Sequence, residues 1–594
     1  MSRAKRLFSG LTLTERVHFI SFILILAVMP LATLLHGRVA NNDEAWLVQS
    51  GMVRDLFTFY KSGLLIAGAA LLFLSNAFTE SPAAMRRSII AGAGGKGTRA
   101  LWIYLIFAGL SALFETRYPL VQATGIAYSF ENIFVLISYT VVFAKMRGFV
   151  KSAALAKAAV GVLAAGAVGA GFAGALQTFG FDIFSLPFIK GIICPVEQIK
   201  QISDMAVGRV YATFGDSART GLYASFLLPL FVCFAAAARK SAARALSIIA
   251  SVLLAICLIG APQGLYPFIA SSAAGLGLLA LREKKANAVK RRALYFLSIP
   301  AAALIVLIAA RGFKPFGSED FFLKDISVLK DRAVVSTSAG DVIVAYSGDS
   351  GFYVENGKLM KLTPGADGSK AAEYAGVNGA VDVTLLSQAS NICFVDFRGV
   401  MAENGQPLYI MLQYTHGAVY PLSFDGFYTD LYEEYPSASL FKETAFGGRG
   451  YIWNRTLPLL PKRIVTGAGP DCFAFDFPQD DILGKTRYMG NPYASVIQPK
   501  SAYLQTFVNT GAISLAALFC LYAFFLAGTA KAVLSGKTDS DGERTFFGVA
   551  LGCFCAGVAG IIGMAFTDSS VGVTTIWYAV LGLGFAAAKR AKDA

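Results

Sequence analysis

Long apolar runs separated by short polar segments organise this chain. Nine runs lie near 17–35, 62–79, 100–114, 125–144, 154–178, 221–238, 245–261, 264–281 and 293–310. A long interval of ordinary soluble character follows, and then three more runs near 505–530, 546–566 and 571–588. Most have about the 17–25 residues needed to cross a bilayer's hydrocarbon layer. The pattern predicts an all-α polytopic membrane protein of about 12 transmembrane helices, with residues 1–310 as a nine-helix membrane domain and 501–594 as a three-helix one. Small-residue stretches such as 158–175 and 274–281 predict close helix packing.

Residues 311–500 predict a different, water-exposed domain, β-rich and then membrane-proximal. Positions 333–363 and 399–424 alternate β-branched and polar residues, and each stretch carries an Asn-Gly pair suited to a hairpin turn, Asn356-Gly357 and Asn404-Gly405. The segment RGYIWNRTLPLLPKRI (449–464) is apolar, aromatic and basic, which suits a helix near the membrane surface.

Charge adds an orientation. Lys and Arg crowd alternate connections: Arg86, Arg87, Lys96 and Arg99; Lys145, Arg147, Lys151 and Lys157; Arg239, Lys240 and Arg244; Arg282 to Arg292; Lys531, Lys537 and Arg544; and the C-terminal end. The remaining short connections hold far fewer. By the positive-inside rule both ends are cytoplasmic and the β-rich insert before the last three helices is extracytoplasmic. The N-terminal run, preceded by Arg3, Lys5, Arg6 and Arg16, predicts a retained signal anchor. This topological use of the basic residues accounts for the net charge of +14 and argues against nucleic acid as a partner. The composition, 55% hydrophobic and 15% charged with a mean hydropathy of +0.56, agrees with lipid as the main solvent.

Eight cysteines and three histidines (His18, His36 and His416) give neither a C-x-x-C pair nor a Cys/His metal spacing. Cys194, Cys393 and Cys472 fall in predicted outside segments, where a disulfide among them stays open.

Candidate chemistry gathers at the predicted outer ends of the spans. Arg209, Asp216 and Arg219 precede or enter the run at 221–238, where a charge must pair, snorkel or bind a ligand. A turn-rich stretch with Asp471, Asp476, Asp480, Asp481, Lys485, Arg487 and Lys500 leads into the run at 505–530. Asp471, Asp480 and Asp481 read as solvated turn acids, and Asp568 as part of a short outer turn. Glu131, an acid among aromatic residues, reads as a partner for Arg117 or for substrate, or as an interfacial acid without a role.

Several pieces in order, RVYATFGD (209–216), GLYASFLLPL (221–230), RGYIWNRTLPLL (449–460), TGAGPDCFAFDFPQDD (466–481), AYLQTFVNTGAISL (502–515) and FTDSSVGVTTIWYAVLGLG (566–584), resemble the O-antigen ligase and O-antigen polymerase family, particularly its relatives from Gram-positive bacteria. The resemblance implies a GT-C-like helical bundle and a glycosyltransferase of the cytoplasmic membrane that needs neither metal nor other cofactor. Such an enzyme moves a glycan from a polyprenyl-diphosphate carrier to an acceptor hydroxyl on a glycan, lipid or protein. It implies Arg209 on the diphosphate and draws in Tyr503 and Gln505 of the Tyr-Leu-Gln element, while Arg219, Asp216, Glu131 and Arg117 are further candidate substrate contacts by position alone. Fixed guanidinium groups suit a leaving diphosphate, and the acceptor hydroxyl needs a base.

The chain departs from the family in two places. Where a His-Asn pair usually precedes the Tyr-Leu-Gln element, it has Lys500-Ser501, which makes Lys500 the candidate catalytic residue. A second arginine usual near 261–265 is missing from Ala261-Pro262-Gln263-Gly264-Leu265. Two other readings therefore stand beside the transferase: a catalytically silent glycan-binding or scaffold subunit of envelope polysaccharide assembly, and a lipid-linked glycan transporter.

Overall fold

The computed structural model describes residues 11–47, 52–79, 95–194, 210–239, 241–282, 298, the paired strands and adjoining turns between 323 and 422, and 433–593. Among them nine helical segments are long and apolar enough to cross a membrane, and the chain is a multi-pass membrane protein. The first is α1 (Leu13–Phe22), continued by a π-helical turn and a 3-10 turn to Leu31. The others are α3 (Lys96–Phe114), α6 (Ala153–Thr178), α8 (Ser217–Ala237), α9 (Ala242–Gly260), α10 (Leu265–Arg282), α14 (Ala512–Ser535), α15 (Asp541–Met564) and α16 (Val571–Asp593). Two further apolar helices, α2 (Phe59–Thr79) and α5 (Ile133–Phe149), pack among them. The run at 293–310 lies outside the described residues except for Ser298.

Two expected spans differ in outline. The run at 125–144 is helical only from Ile133, where the Asn132 side chain caps the Val135 amide at 3.1 Å. Before it, Tyr128 and Phe130 have positive φ, so residues 126–132 form an irregular loop. The run at 505–530 is two helices, α13 (Ala502–Thr510) and α14, broken at Gly511 with φ 89°. A left-handed residue cannot continue a right-handed helix.

α8, α15 and α16 form the centre, where Trp577 packs against Phe226, Tyr522 and Phe525. Small residues allow the closest approaches: a Cβ on Gly166 of α6 would stand 2.2 Å from the Leu26 carbonyl oxygen. At one end of the bundle the basic connections meet. Lys157 pairs with Asp541 at 2.6 Å, Lys151 with Glu15 at 3.1 Å, and Arg282 donates to the carbonyls of Val533 and Gly536. The opposite end carries a short hairpin, β1 (His36–Val39) with β2 (Met52–Asp55), the helices α4 (Pro119–Thr124) and α7 (Pro187–Ile193), and the segment 433–501.

The insert holds two antiparallel sheets. β3 (Leu323–Leu329), β4 (Arg332–Thr337), β5 (Gly340–Ser347) and β6 (Gly351–Val354) form one. The other runs in reverse chain order from β12 (Ala418–Pro421) through β11 (Pro407–Thr415), β10 (Ile392–Met401), β9 (Val381–Ser387) and β8 (Lys370–Tyr374) to β7 (Thr363–Pro364). Asn356-Gly357 and Asn404-Gly405 both lie outside the described residues, the second in the interval between the paired strands β10 and β11. Alternation puts Ile326, Ala333, Val335, Val342 and Val344 on one buried face with Ile410, Leu412 and Val419 of the second sheet. Ile482 and Tyr493 join this core, and the Tyr493 hydroxyl donates to the Leu422 carbonyl at 3.0 Å, fastening the sheets to the segment that leads to Lys500.

The basic aromatic segment is helical as its sequence predicts: α11 (Ala445–Thr456) followed by a 3-10 stretch to Arg463. Cys194 and Cys472 are separate buried thiols, so no bridge joins them, and the Cys393 side chain lies outside the described residues.

Candidate functional site

The site grows from three chain reversals at the same end of the bundle. In the first, Ala212 (φ 46°) and Gly215 (φ 74°) turn the backbone so that Asp216 caps α8, accepting from the amides of Ala218 at 2.6 Å and Arg219 at 3.4 Å. A Cβ at Gly215 would stand 2.6 Å from the Phe57 ring, so both φ and space require glycine there. In the second reversal, Lys500 has φ 57° and the Ala502 amide donates to the Thr567 carbonyl at 2.9 Å. The third is the turn between α15 and α16, which carries Asp568.

These reversals bring Lys500 between two carboxylates. Its ammonium nitrogen lies 3.7 Å from Asp216 Oδ2 and 3.7 Å from Asp568 Oδ2. Asp216 and Lys500 are about one-third exposed, whereas Asp568 is buried at 3%. Arg219, one turn into α8, donates to Gln498 Oε1 at 2.7 Å, and the Gln498 amide donates to Ser129 Oγ and the Ser569 carbonyl, each at 3.1 Å.

The two carboxylates are tuned apart. Burial pushes Asp216 up, but the charges of Lys500 and Arg219 and its two amide donors outweigh it and hold it at about 2. For Asp568 burial wins: its carboxyl is raised although Lys500, Arg219 and Arg449 pull it down. Asp568 Oδ1 is buried without a hydrogen-bond partner. Asp216 is thus a permanent anion that positions cations, and Asp568 a carboxylate able to take a proton. The cation between them is a lysine; among the described residues no His, Cys, Asp and Glu cluster could hold a metal ion.

A second polar network lies behind the first. Glu131 accepts from Tyr139 at 2.5 Å, Ser569 at 2.7 Å and Gln505 at 2.9 Å, and the Gln505 side-chain oxygen accepts the Ser569 amide at 2.9 Å. Glu131 and Gln505 therefore act together, fixing the turn that presents Asp568. The pairing expected between Glu131 and Arg117 is absent: Arg117 is exposed, and Glu131 is only 4% exposed and held by neutral donors. Tyr503 points elsewhere, its hydroxyl donating to the Ile561 carbonyl at 2.5 Å. Arg209 lies outside the described residues.

Two acids read as solvated are buried. Asp471 accepts from Ser129 and from the amides of Ile126 and Glu131. Asp481 accepts from Arg455 and Tyr451. Arg449 donates to the Phe566 carbonyl at 2.9 Å, and Trp453 donates to the Pro499 carbonyl at 3.0 Å. α11 therefore braces both reversals that flank the lysine. Sequence reasoning missed Asp568 and Gln498. The only signal for Asp568 was an acid between two apolar runs, at Thr567-Asp568-Ser569-Ser570.

No protein-family model matches the chain, and no curated protein matches it.

Proposed function

We propose that the protein is a glycosyltransferase of the cytoplasmic membrane, with both ends in the cytoplasm, that transfers a glycan from a polyprenyl-diphosphate carrier to an acceptor hydroxyl on the outer side. The carrying observation is the convergence of Asp216, Arg219, Lys500 and Asp568 from three distant parts of the chain. The resemblance stated from the sequence supports the same reading, with Lys500 where the family carries its histidine.

The reaction follows from the charges. Asp568 takes the acceptor hydroxyl proton, and the freed oxygen attacks the anomeric carbon. The carbon–oxygen bond to the carrier phosphate breaks, and the electron pair leaves on the diphosphate. Arg219 and Lys500, with Arg209 by the resemblance, receive that negative charge. One displacement of this kind inverts the anomeric centre. Asp216 keeps Lys500 oriented and does not compete for the proton.

The test is a transfer assay with purified protein in lipid nanodiscs, a polyprenyl-diphosphate oligosaccharide and candidate acceptors. Wild type should release carrier diphosphate and form the new glycoside, and Asp568→Asn and Arg219→Ala should each lose about 100-fold or more. Undiminished transfer in both variants would overturn the assignment. Carrier binding without turnover, across the natural donor and acceptors, would favour the glycan-binding subunit.

A further inference from the structure

A cavity of about 330 Å³ opens on the same end of the molecule as Lys500, apart from the charged cluster. Three separate segments wall it: the loop between β1 and β2 gives Trp46, the turn after α3 gives Tyr118, and residues 474–495 give the rest. Phe475 joins the rings. It stacks on Tyr118 at 3.9 Å between centroids and meets Trp46 edge-on at 6.0 Å, so the three half-buried rings form a corner of aromatic surface.

Polar groups face this corner. Asp480 stands exposed at the rim, and the buried Lys485 ammonium donates to the Gln479 carbonyl in the wall. The Gln479 side chain is itself pinned, donating to the Ala474 and Val496 carbonyls at 2.9 and 3.0 Å and accepting the Val496 amide at 3.1 Å. The wall is built before any ligand arrives. Rigid aromatic faces beside one carboxylate and one ammonium suit a sugar ring, whose C–H face covers the rings while its hydroxyls meet the charges. A lipid chain would use the rings and make no use of either charge. The volume sits at the small end of ligand pockets, about 300–1,000 Å³, as one or two sugar rings require.

The chain links this cavity to the reaction site. Ser495 lines it, and Lys500 follows five residues later, so the two lie within roughly 18 Å of backbone reach. We infer that the cavity is a saccharide subsite, holding one ring of the glycan substrate on Trp46, Tyr118 and Phe475 while Asp480 and Lys485 bond its hydroxyls. That the bound saccharide belongs to a transfer substrate rests on the function proposed above; saccharide binding itself does not.

The experiment is saturation-transfer NMR on the full chain in nanodiscs, using free di- to hexasaccharides built from hexose, N-acetylhexosamine and deoxyhexose units. At least one should bind through a single ring, and Trp46→Ala and Asp480→Ala should each weaken it about tenfold. Asp480 is exposed, so its truncation tests the subsite even if the Trp46 variant fails to fold. No saturation transfer to any saccharide, or binding unchanged in the Asp480 variant, would overturn the inference. Variant-sensitive binding with no transferase activity would keep the subsite and remove the proposed reaction. Full transfer with unaltered KM in both variants would remove the subsite alone.

Discussion

Asp471 reaches Ser129 at 2.6 Å and so ties the loop that follows α11 to the loop ahead of α5. The same carboxylate accepts the Ile126 and Glu131 amides at 2.9 Å each. Loop 126–132 supplies both Ser129, which accepts from Gln498, and Glu131, which bonds Ser569 beside Asp568. A single buried acid thus organises two approaches to the reaction site.

That acid should make stability depend on pH. Burial raises Asp471 to about 7, with the Glu131 charge adding to the rise and the Ser129 and amide bonds opposing it. Unfolded, the group returns to its ordinary value of 3.8. Between those values the folded chain holds a proton that the unfolded chain has lost. The contribution is complete below about pH 4 and disappears as pH rises toward 7, on the order of a few kcal/mol. Thermal unfolding of wild type against Asp471→Asn from pH 4 to 8 checks this, because the asparagine variant should lack that part of the slope. Parallel curves would refute the assignment.

Lys500 and Asp568 give a kinetic prediction. Removing a cation 3.7 Å from a buried carboxylate raises that carboxylate's pKa further. In Lys500→Ala the acid limb of the kcat/KM profile should therefore move to higher pH, and activity at a fixed acidic pH should fall. Lys500→Arg keeps the charge and should return the limb toward its wild-type place. An acid limb in the same position for all three proteins would show that Asp568 is not the base.

How much of this was legible varies with the range of the interactions. Apolar runs record burial along one helix, and they located the spans well. Gly511 escaped because hydrophobicity continues on both sides of it, and only its φ of 89° separates α13 from α14. Asp471 and Asp481 looked solvated because their local sequence is polar and turn-rich. The donors that bury Asp471 come from a loop some 340 residues earlier, which local pattern does not reveal. Asp216 and Lys500 were recognised as site residues, and the structure pairs them directly and sets Asp568 on the other side of the lysine, an acid whose local sequence showed only a turn between two apolar runs.

The break at Gly511 can be tested by sign. A Cβ there would stand 2.5 Å from the Val465 carbonyl oxygen, on a backbone that disfavours L side chains. Gly511→Ala should cost about 1–3 kcal/mol or more and lower the midpoint of thermal unfolding. Gly277, in α10, has nothing within 4 Å of such a Cβ and no unusual φ. Gly277→Ala should leave the midpoint unchanged or raise it slightly, by up to about 1 kcal/mol. Equal effects of the two substitutions would remove the argument that Gly511 is required by its conformation.

Arg455 and Asp481 hold the wall of the aromatic cavity. Their side chains are 16% and 7% exposed and meet at 2.9 Å, while Tyr451 donates to the same carboxylate oxygen at 2.9 Å. The other oxygen accepts the Gly484 amide at 2.8 Å, so Asp481 also caps α12 (Ile482–Met489), which carries Lys485. Arg455→Ala would leave an ionised carboxylate buried with only neutral donors, a loss of about 3–5 kcal/mol when fully buried and less at this exposure. Asp481→Asn in that background removes the uncompensated charge and can keep the Gly484 bond. The double variant should therefore be more stable than Arg455→Ala alone, although it carries one more substitution. Thermal unfolding of the two single variants and the double variant measures the coupling, and strictly additive losses would show that the pair contributes no interaction of its own.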